Sequence, residues 1–276
     1  MIKRKNTLRR QKPKKAHNVG EQDELLAVLA LIFQKTSGKS IPGFPAITSV
    51  KTPEGQICKD WQLGLQKPGS LKTLSMSKIK RIARKHGFHK SPGRFKADIL
   101  INGEGVSLKS KRGAAPSIVN TTTRYGWEEA CRFMKVSIAP LDEAIAGYWV
   151  KQSTGHIRQD VANYHPESPF KDRRHLLAPM LEYFLFYGTG SGESKVKASK
   201  VAEFDDPTDM STWSILKPAD AVHRIWDRLV FSIRSKGMPK NFPQMKPQDL
   251  HKKASIDRWT QKGKDGIYRG ALHVRA

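Results

Sequence analysis

Asp98, Ser107 and Lys109 are the residues whose types and spacing could do chemistry in this chain. They flank a turn at residues 102–105, where glycines supply the positive backbone angles that a tight β-hairpin needs. Because side chains alternate between the two faces of a strand, the three polar residues share one face of the predicted hairpin. A carboxylate, a hydroxyl and an ammonium group would therefore lie close together.

The turn also predicts the register of the hairpin. A two-residue loop at 103–104 places Asp98 opposite Lys109. A four-residue loop closed by Ile101 and Val106 gives the same pairing, and directly opposed residues have Cβ atoms about 5 Å apart. The other face is apolar, and we expect it to be buried: Ile99, Ile101, Val106 and Leu108.

The charge of the chain indicates a polyanionic partner. Among 276 residues, Lys and Arg number 50 and Asp and Glu number 25, which gives a formal net charge of +25 at pH 7. A positive field of this size attracts polyanions, and nucleic acid is the leading candidate. An acidic membrane surface is the alternative, but the sequence has no amphipathic membrane helix and no lipidation signal.

Cysteine content and apolar runs favour a cytoplasmic protein. Cys58 and Cys131 lie in unrelated contexts and form neither a metal motif nor a disulfide framework, which fits a reducing compartment. The longest strongly apolar run, residues 25–33, has nine residues and is too short to cross a bilayer. Three acidic residues precede this run and no small-residue cleavage site follows it, so we do not expect a signal peptide.

Helical and strand-like segments are mixed along the rest of the chain. The sequence predicts a disordered basic arm over 1–18 and one domain over 19–276. Apolar periodicity and stop signals predict helices, the clearest of them over 21–35, 76–86 and 220–235. A second hairpin is expected over 256–276, and the whole pattern favours an α/β or α+β fold.

The hairpin resembles the core of a known enzyme superfamily. Residues 96–101 and 106–113 are similar to the PD-(D/E)xK nucleases, particularly the type II restriction endonucleases, and residues 259–274 resemble the closing segment of some of them. In that superfamily an Asp begins one strand, and an acid and a Lys one residue apart lie on the next. Here Ala97 replaces the Pro of the motif and Ser107 replaces the second acid. The resemblance implies a central mixed β-sheet flanked by helices, in a prokaryotic or phage-encoded protein.

The mechanism implied by the resemblance is metal-assisted phosphodiester hydrolysis. Asp98 and the backbone carbonyl of Leu108 would ligate Mg²⁺, and Ser107 would hydrogen-bond a metal-bound water. Lys109 would orient the attacking water and stabilise the transition state. A serine hydroxyl is a poor ligand for a hard cation, so a further carboxylate is needed.

The expected source of that carboxylate is the start of the first helix. Glu21 is the candidate, with Glu24 one turn further on. The alternative interpretation is that both acids only stabilise the positive end of the helix dipole.

The resemblance and the basic loops together predict the contacts to double-stranded DNA. The candidate residues are cationic or amide side chains near the hairpin and in the C-terminal turn: Lys111, Arg112, Asn120, Arg124, Lys262 and Lys264. The preferred hypothesis is a Mg²⁺-dependent endonuclease of the restriction type, and the sequence leaves open whether it acts as a homodimer. The alternatives are a structure-specific nuclease and a non-catalytic nucleic-acid-binding protein in which Asp98 and Lys109 form a structural pair.

Overall fold

The computed structural model describes residues 19–62, 64, 66–90, 95–112 and 117–276. The α-helices are α1 (Val19–Thr36), α2 (Met76–Lys85), α3 (Arg124–Met134), α4 (Ala139–Ser153), α5 (Arg174–Glu182), α6 (Pro218–Ile225) and α7 (Leu250–Asp257). Short 3-10 turns cover Pro68–Thr73, Lys171–Arg173, Met210–Thr212, Trp226–Arg228 and Pro247–Asp249, and a π-helical turn covers Tyr183–Tyr187. The predicted basic arm at 1–18 lies outside the described residues.

The strands form two main sheets. They are β1 (Val50–Lys51), β2 (Ile99–Ile101), β3 (Glu104–Ser110), β4 (Ser117–Thr123), β5 (Asp160–Ala162), β6 (Gly188–Thr189), β7 (Gly192–Glu193), β8 (Lys200–Phe204), β9 (Trp213–Leu216), β10 (Val230–Arg234), β11 (Gln261–Lys262), β12 (Tyr268–Arg269) and β13 (Ala271–Arg275). A five-stranded mixed sheet has the order β1-β2-β3-β8-β9, in which only β3 and β8 are parallel. A four-stranded antiparallel sheet has the order β4-β13-β10-β5. The predicted mixed α/β class is confirmed, whereas the second sheet was not expected.

The predicted hairpin is present, but its register differs by two residues. Val106 pairs with Ile99 instead of Ile101, and the loop consists of Asn102 and Gly103 alone. Both loop residues have positive φ angles, 52° and 85°, which is the conformation of a type I′ turn. A two-residue shift leaves every side chain on its expected face. The apolar face is therefore buried as predicted, although Asp98 does not lie opposite Lys109.

Two hydrophobic clusters pack on opposite sides of the five-stranded sheet. Helices α1 and α2 cover one face and bury the apolar side of the hairpin with it. The second cluster joins the other face to the four-stranded sheet and to helices α3 to α6. Strand β8 serves both clusters because its alternate side chains point in opposite directions: Val201 joins the second, and Ala202 and Phe204 join the first. Helix α1 is 18 residues long, and no helix in the described part of the chain could span a membrane.

The helix predicted over 220–235 is wrong in its second half. Helix α6 ends at Ile225, and β10 begins at Val230 and pairs with β13 on one side and β5 on the other. Phe231 and Ile233 are buried in this strand. The apolar spacing of the segment fits both periods, and the β-branched and aromatic residues favour a strand once two neighbours are present to pair with it.

The C-terminal hairpin is predicted only in part. Strands β11 and β12 pair across the expected basic turn. Asp257, however, ends helix α7, and β13 leaves the hairpin to join the four-stranded sheet beside β4. Asn120, predicted to contact DNA from a basic loop, lies instead on β4, an edge strand of that sheet.

Candidate active site

Asp98 is held at the entry to β2 by two hydrogen bonds from β3. Ser107 Oγ donates to Asp98 Oδ2 at 3.1 Å, and the Leu108 N–H donates to the same oxygen at 2.7 Å. Ser107 is only 3% exposed, and its hydroxyl fixes the carboxylate; its predicted contact with a metal-bound water stays a prediction. The N–H and C=O of one strand residue point to the same side, so the Leu108 carbonyl faces the end of β2 as well.

Helix α1 brings Glu24 into electrostatic contact with this carboxylate, and Glu21 acts on the cluster through Lys90. Burial raises the pKa of Glu24, and the negative charge of Asp98 raises it further. Glu24 Oε2 also lies 2.6 Å from Lys90 Nζ. Glu21 lies 2.7 Å from Lys80 Nζ, which lowers the pKa of Glu21 through its hydrogen bond. Of the two predicted acids, the structure therefore places Glu24 in the cluster and engages Glu21 with helix α2.

Lys109 lies on the same strand as Ser107 and opposite Glu203 of β8. Its ammonium group is close enough to lower the pKa values of both Glu24 and Lys96. Within the described residues no ion pair joins Lys109 to Asp98 or to another acid. A structural Asp98–Lys109 pair, one of the alternatives, is therefore not formed in the described structure.

Lys96 is a member of the cluster that sequence reasoning missed. Burial lowers the pKa of Lys96 to about 8, with a second contribution from the charge of Lys109. Its backbone N–H is held by Ser194 Oγ at 2.9 Å and by the Val196 carbonyl at 3.0 Å. The available signal was its position two residues before Asp98, which places both on one side of an extended chain.

The donors at this site suit a hard cation that keeps much of its water. No group of three or more His, Cys, Asp or Glu side chains is placed to hold a metal among the residues that the structure describes. Two carboxylates, from Glu24 and Asp98, and the Leu108 carbonyl remain. Mg²⁺ is commonly bound through one or two carboxylates together with waters and substrate phosphates, so the donor set fits it.

Two of the predicted phosphate contacts lie beside the cluster and are already paired. Arg112 Nε donates to Asp23 Oδ2 at 3.1 Å, and a second guanidinium nitrogen donates to the other carboxylate oxygen. Asp23 is fully buried, so Arg112 neutralises an internal charge. Lys111 Nζ lies 2.7 Å from the exposed carboxylate of Asp205, a partner that water or phosphate can replace. The side chain of Arg112 is 45% exposed beside this pair, so the predicted contacts of Arg112 and Lys111 with DNA both stay predictions.

Arg124 is not a DNA contact. It is only 3% exposed and forms the centre of an internal network. Its Nε and Nη2 donate to the two carboxylate oxygens of Asp142, both at 2.7 Å. It also pairs with Glu128 and donates to Ser255 Oγ at 3.2 Å. The network ties α3 to α4 and α7, so this cation has a structural role.

A cleft of about 1400 Å³ runs from Lys90 and Lys96 to the four-stranded sheet, while Lys109 lines a separate pocket together with Lys111 and Glu203. Lys90 and Lys96 line it beside the carboxylates, and Asn120 lines it on β4. Residues 190–192 and Lys252 form other parts of its wall. The predicted cations Lys262 and Lys264 lie elsewhere, on the exposed β11–β12 hairpin.

Comparison with known proteins adds no further assignment. No family model, no curated protein and no solved structure matches this chain. The functional interpretation therefore depends on the geometry of the cluster and the cleft, together with the resemblance carried by the hairpin residues.

Proposed function

We propose that the protein is a Mg²⁺-dependent endonuclease that hydrolyses phosphodiester bonds at a short site in duplex DNA. The observation that carries the proposal is the electrostatic coupling of Glu24 to Asp98 and to Lys109, next to Lys90 and Lys96 at the end of a basic cleft. Two like charges held together favour a cation between them. The mixed sheet also supports the resemblance to restriction endonucleases, because such a sheet is what that resemblance implies.

The metal would be held by Glu24, Asp98 and the carbonyl of Leu108. When bound there, Mg²⁺ supplies a polarised water for attack and neutralises charge on the scissile phosphate. Ser107 keeps Asp98 in one orientation by donating to Oδ2, and the Leu108 N–H reinforces that orientation. The carboxylate is therefore preorganised by the hairpin itself.

Lys109 supplies a positive charge that no acid of the described chain neutralises. Its charge acts on both Glu24 and Lys96, so the ammonium is near enough to the carboxylates to orient a water and to stabilise the charge that develops on the phosphoryl oxygens. Lys90 pairs with Glu24 at 2.6 Å and holds that side chain at the edge of the cleft. The chain thus provides both charge stabilisation and positioning at one place.

A long polyanion is the substrate that these features favour. The net charge of +25 draws nucleic acid to the protein, and the cleft is larger than a pocket for a single small molecule. The exposed face of α2 carries four cations within reach of solvent: Lys78, Arg81, Arg84 and Lys85. Contacts to phosphate are the general source of affinity in such complexes.

A digest of plasmid DNA tests the proposal. The wild-type protein should cut supercoiled plasmid into discrete fragments with Mg²⁺ and leave it intact with EDTA, and Asp98→Asn should bind DNA without cutting. Cleavage restricted to branched DNA would instead indicate a structure-specific nuclease. Binding without metal-dependent cleavage of any DNA by the wild type would contradict the proposed activity.

A further inference from the structure

Strand β4 carries a bulge on the wall of the cleft. Thr122 pairs with Leu272 and Val119 pairs with Val274, so Asn120 and Thr121 both stand opposite the single residue His273. Thr121 has a φ angle of +30°, which is unusual for a β-branched residue. Such bulges change the direction of a side chain and are frequent near active sites.

Asn120 faces the cleft beside this bulge. Val119 is fully buried and pairs with Val274, so the next residue along the strand points to the opposite side. Asn120 is exposed and lines the cleft. The extra residue in the bulge lets Thr122, which is buried and pairs with Leu272, return to the core side. The amide side chain of Asn120 is therefore presented to the cleft between two buried positions of the same strand.

Close-packed glycines hold the bulge in place. A Cβ at Gly237 would lie 2.4 Å from the Thr121 carbonyl oxygen, and a Cβ at Gly190 would lie 2.5 Å from Thr122 Oγ1. Two loops thus pack closely against the strand, one against Thr121 and the other against Thr122. Strained conformations persist where surrounding structure fixes them, and they are concentrated at functional sites.

Asn120 is available for recognition. Within the described residues its side chain makes no hydrogen bond, so its donor and acceptor are directed to the cleft. The same cleft reaches the catalytic cluster through Lys96 and also contains Tyr125, with Lys252 Nζ 5.3 Å from the tyrosine ring. An asparagine amide forms paired hydrogen bonds with the edge of adenine in the major groove.

We infer that Asn120 is a specificity-determining residue that recognises an adenine in the duplex bound along the cleft. The inference rests on the proposed function for its substrate class, and it assigns to the bulge of β4 the choice of sequence. Lys252 has a different role, since a lysine at the wall of the cleft contacts phosphate without regard to sequence.

The test is a binding selection from a pool of randomised duplex DNA, carried out in EDTA so that cleavage is not needed. The wild type should enrich sequences with adenine at one position. Asn120→Ala should lower the preference at that position by about 5- to 150-fold while leaving the others unchanged. Asn120→Asp should move the preference towards cytosine, whose amino group donates to a carboxylate. Lys252→Ala should weaken binding to all sequences equally.

The outcomes separate the inference from the proposed activity. An Asn120→Ala profile identical to that of the wild type, or a wild type that enriches no sequence, would overturn the inference. A wild type that enriches an adenine-containing site without cutting it in Mg²⁺ would overturn the proposed endonuclease and leave the role of Asn120 in place. The new preference of Asn120→Asp cannot arise from misfolding, because misfolding only removes binding.

Discussion

Two clusters of charged side chains in this protein differ in how far their charges are neutralised by neighbours. Around Arg124, the cation is buried and its partners Asp142 and Glu128 neutralise it directly. Around Asp98, two carboxylates lie close to one another, and Lys109 has no acidic partner among the described residues. The charge of Arg124 is therefore neutralised within the protein, without a ligand.

This difference in neutralisation indicates which of the two clusters favours a bound ligand. A buried ion pair that satisfies itself holds elements together, here α3, α4 and α7. Like charges held together and cations left unpaired cost stability, and proteins retain such arrangements where binding or chemistry uses them. The comparison therefore gives the Arg124 cluster a structural role and makes the Asp98 cluster the place where the proposed activity is to be tested.

The largest effect is expected from Lys109. Lys109→Met should lower the single-turnover cleavage rate by about 10²- to 10³-fold, because it removes a charge aimed at the transition state. Urea denaturation should show no loss of stability. Lys151→Met, on α4 and paired with Glu167, is the matched control and should retain most of the rate. Equal losses in both variants would contradict a special role for Lys109.

At Arg124 we expect a loss of stability as the main effect of substitution. Arg124→Met should lower the free energy of unfolding by about 3 kcal/mol, because it leaves the carboxylates around it without their partner. Arg132→Met on the same helix is the control, since Arg132 is 71% exposed and should be dispensable. Both effects are measured by urea denaturation. A stable Arg124→Met protein with impaired DNA binding would reverse the roles given to the two clusters.

The ionised Glu24 carboxylate should lower the free energy of unfolding, and this effect should depend on pH. Its folded pKa lies above the ordinary value of 4.5 because of burial and of Asp98. Below pH 4.5 the Glu24 carboxyl is protonated in both the folded and the unfolded protein, so it does not lower the free energy of unfolding. As pH rises from 4.5 through the folded pKa, the loss of stability grows, because the unfolded protein ionises this group more readily than the folded protein does. Glu24→Gln should therefore stabilise the protein at pH 7 and not at pH 4, as measured by denaturation in EDTA. An equal effect at both pH values would exclude a charge origin.

The smallest effect concerns Lys96, whose pKa is about 8. Between pH 7 and 9 this side chain loses its positive charge, so affinity for DNA should fall as pH rises. The slope of log affinity against log salt should decrease in magnitude by about 0.9, the contribution of one phosphate contact. Lys96→Met should have the smaller slope at both pH values. A pH-independent slope in the wild type would place Lys96 outside the DNA contact.

Local signals predicted the hairpin and its polar face. The Asn102-Gly103 pair and the alternation around it depend only on neighbours in sequence, and both are confirmed. The register was missed because the four turn residues admit more than one loop. The prediction that Asp98 and Ser107 share one face is still correct, because a shift of two residues preserves the face of every side chain.

Long-range contacts decided what the sequence did not predict. Arg112 and Arg124 are cationic side chains of the kind that contact phosphate. Only the tertiary structure shows the acids that neutralise them. The strand β10 forms because β5 and β13 lie on its two sides, partners that no window around residues 230–234 contains. The same holds for Glu24, whose proximity to Asp98 depends on how α1 packs on the sheet.

Single-turnover cleavage by Glu24→Gln and Glu21→Gln, measured side by side in Mg²⁺, tests the central claim most directly. The two acids lie one turn apart on α1; the charge of Asp98 raises the pKa of Glu24, whereas Glu21 pairs with Lys80 of α2. We expect the rate of Glu24→Gln to fall by at least about 10²-fold and that of Glu21→Gln to stay close to the wild-type rate. A full rate in Glu24→Gln, with or without loss in Glu21→Gln, would contradict an active site built from Glu24, Asp98 and Lys109.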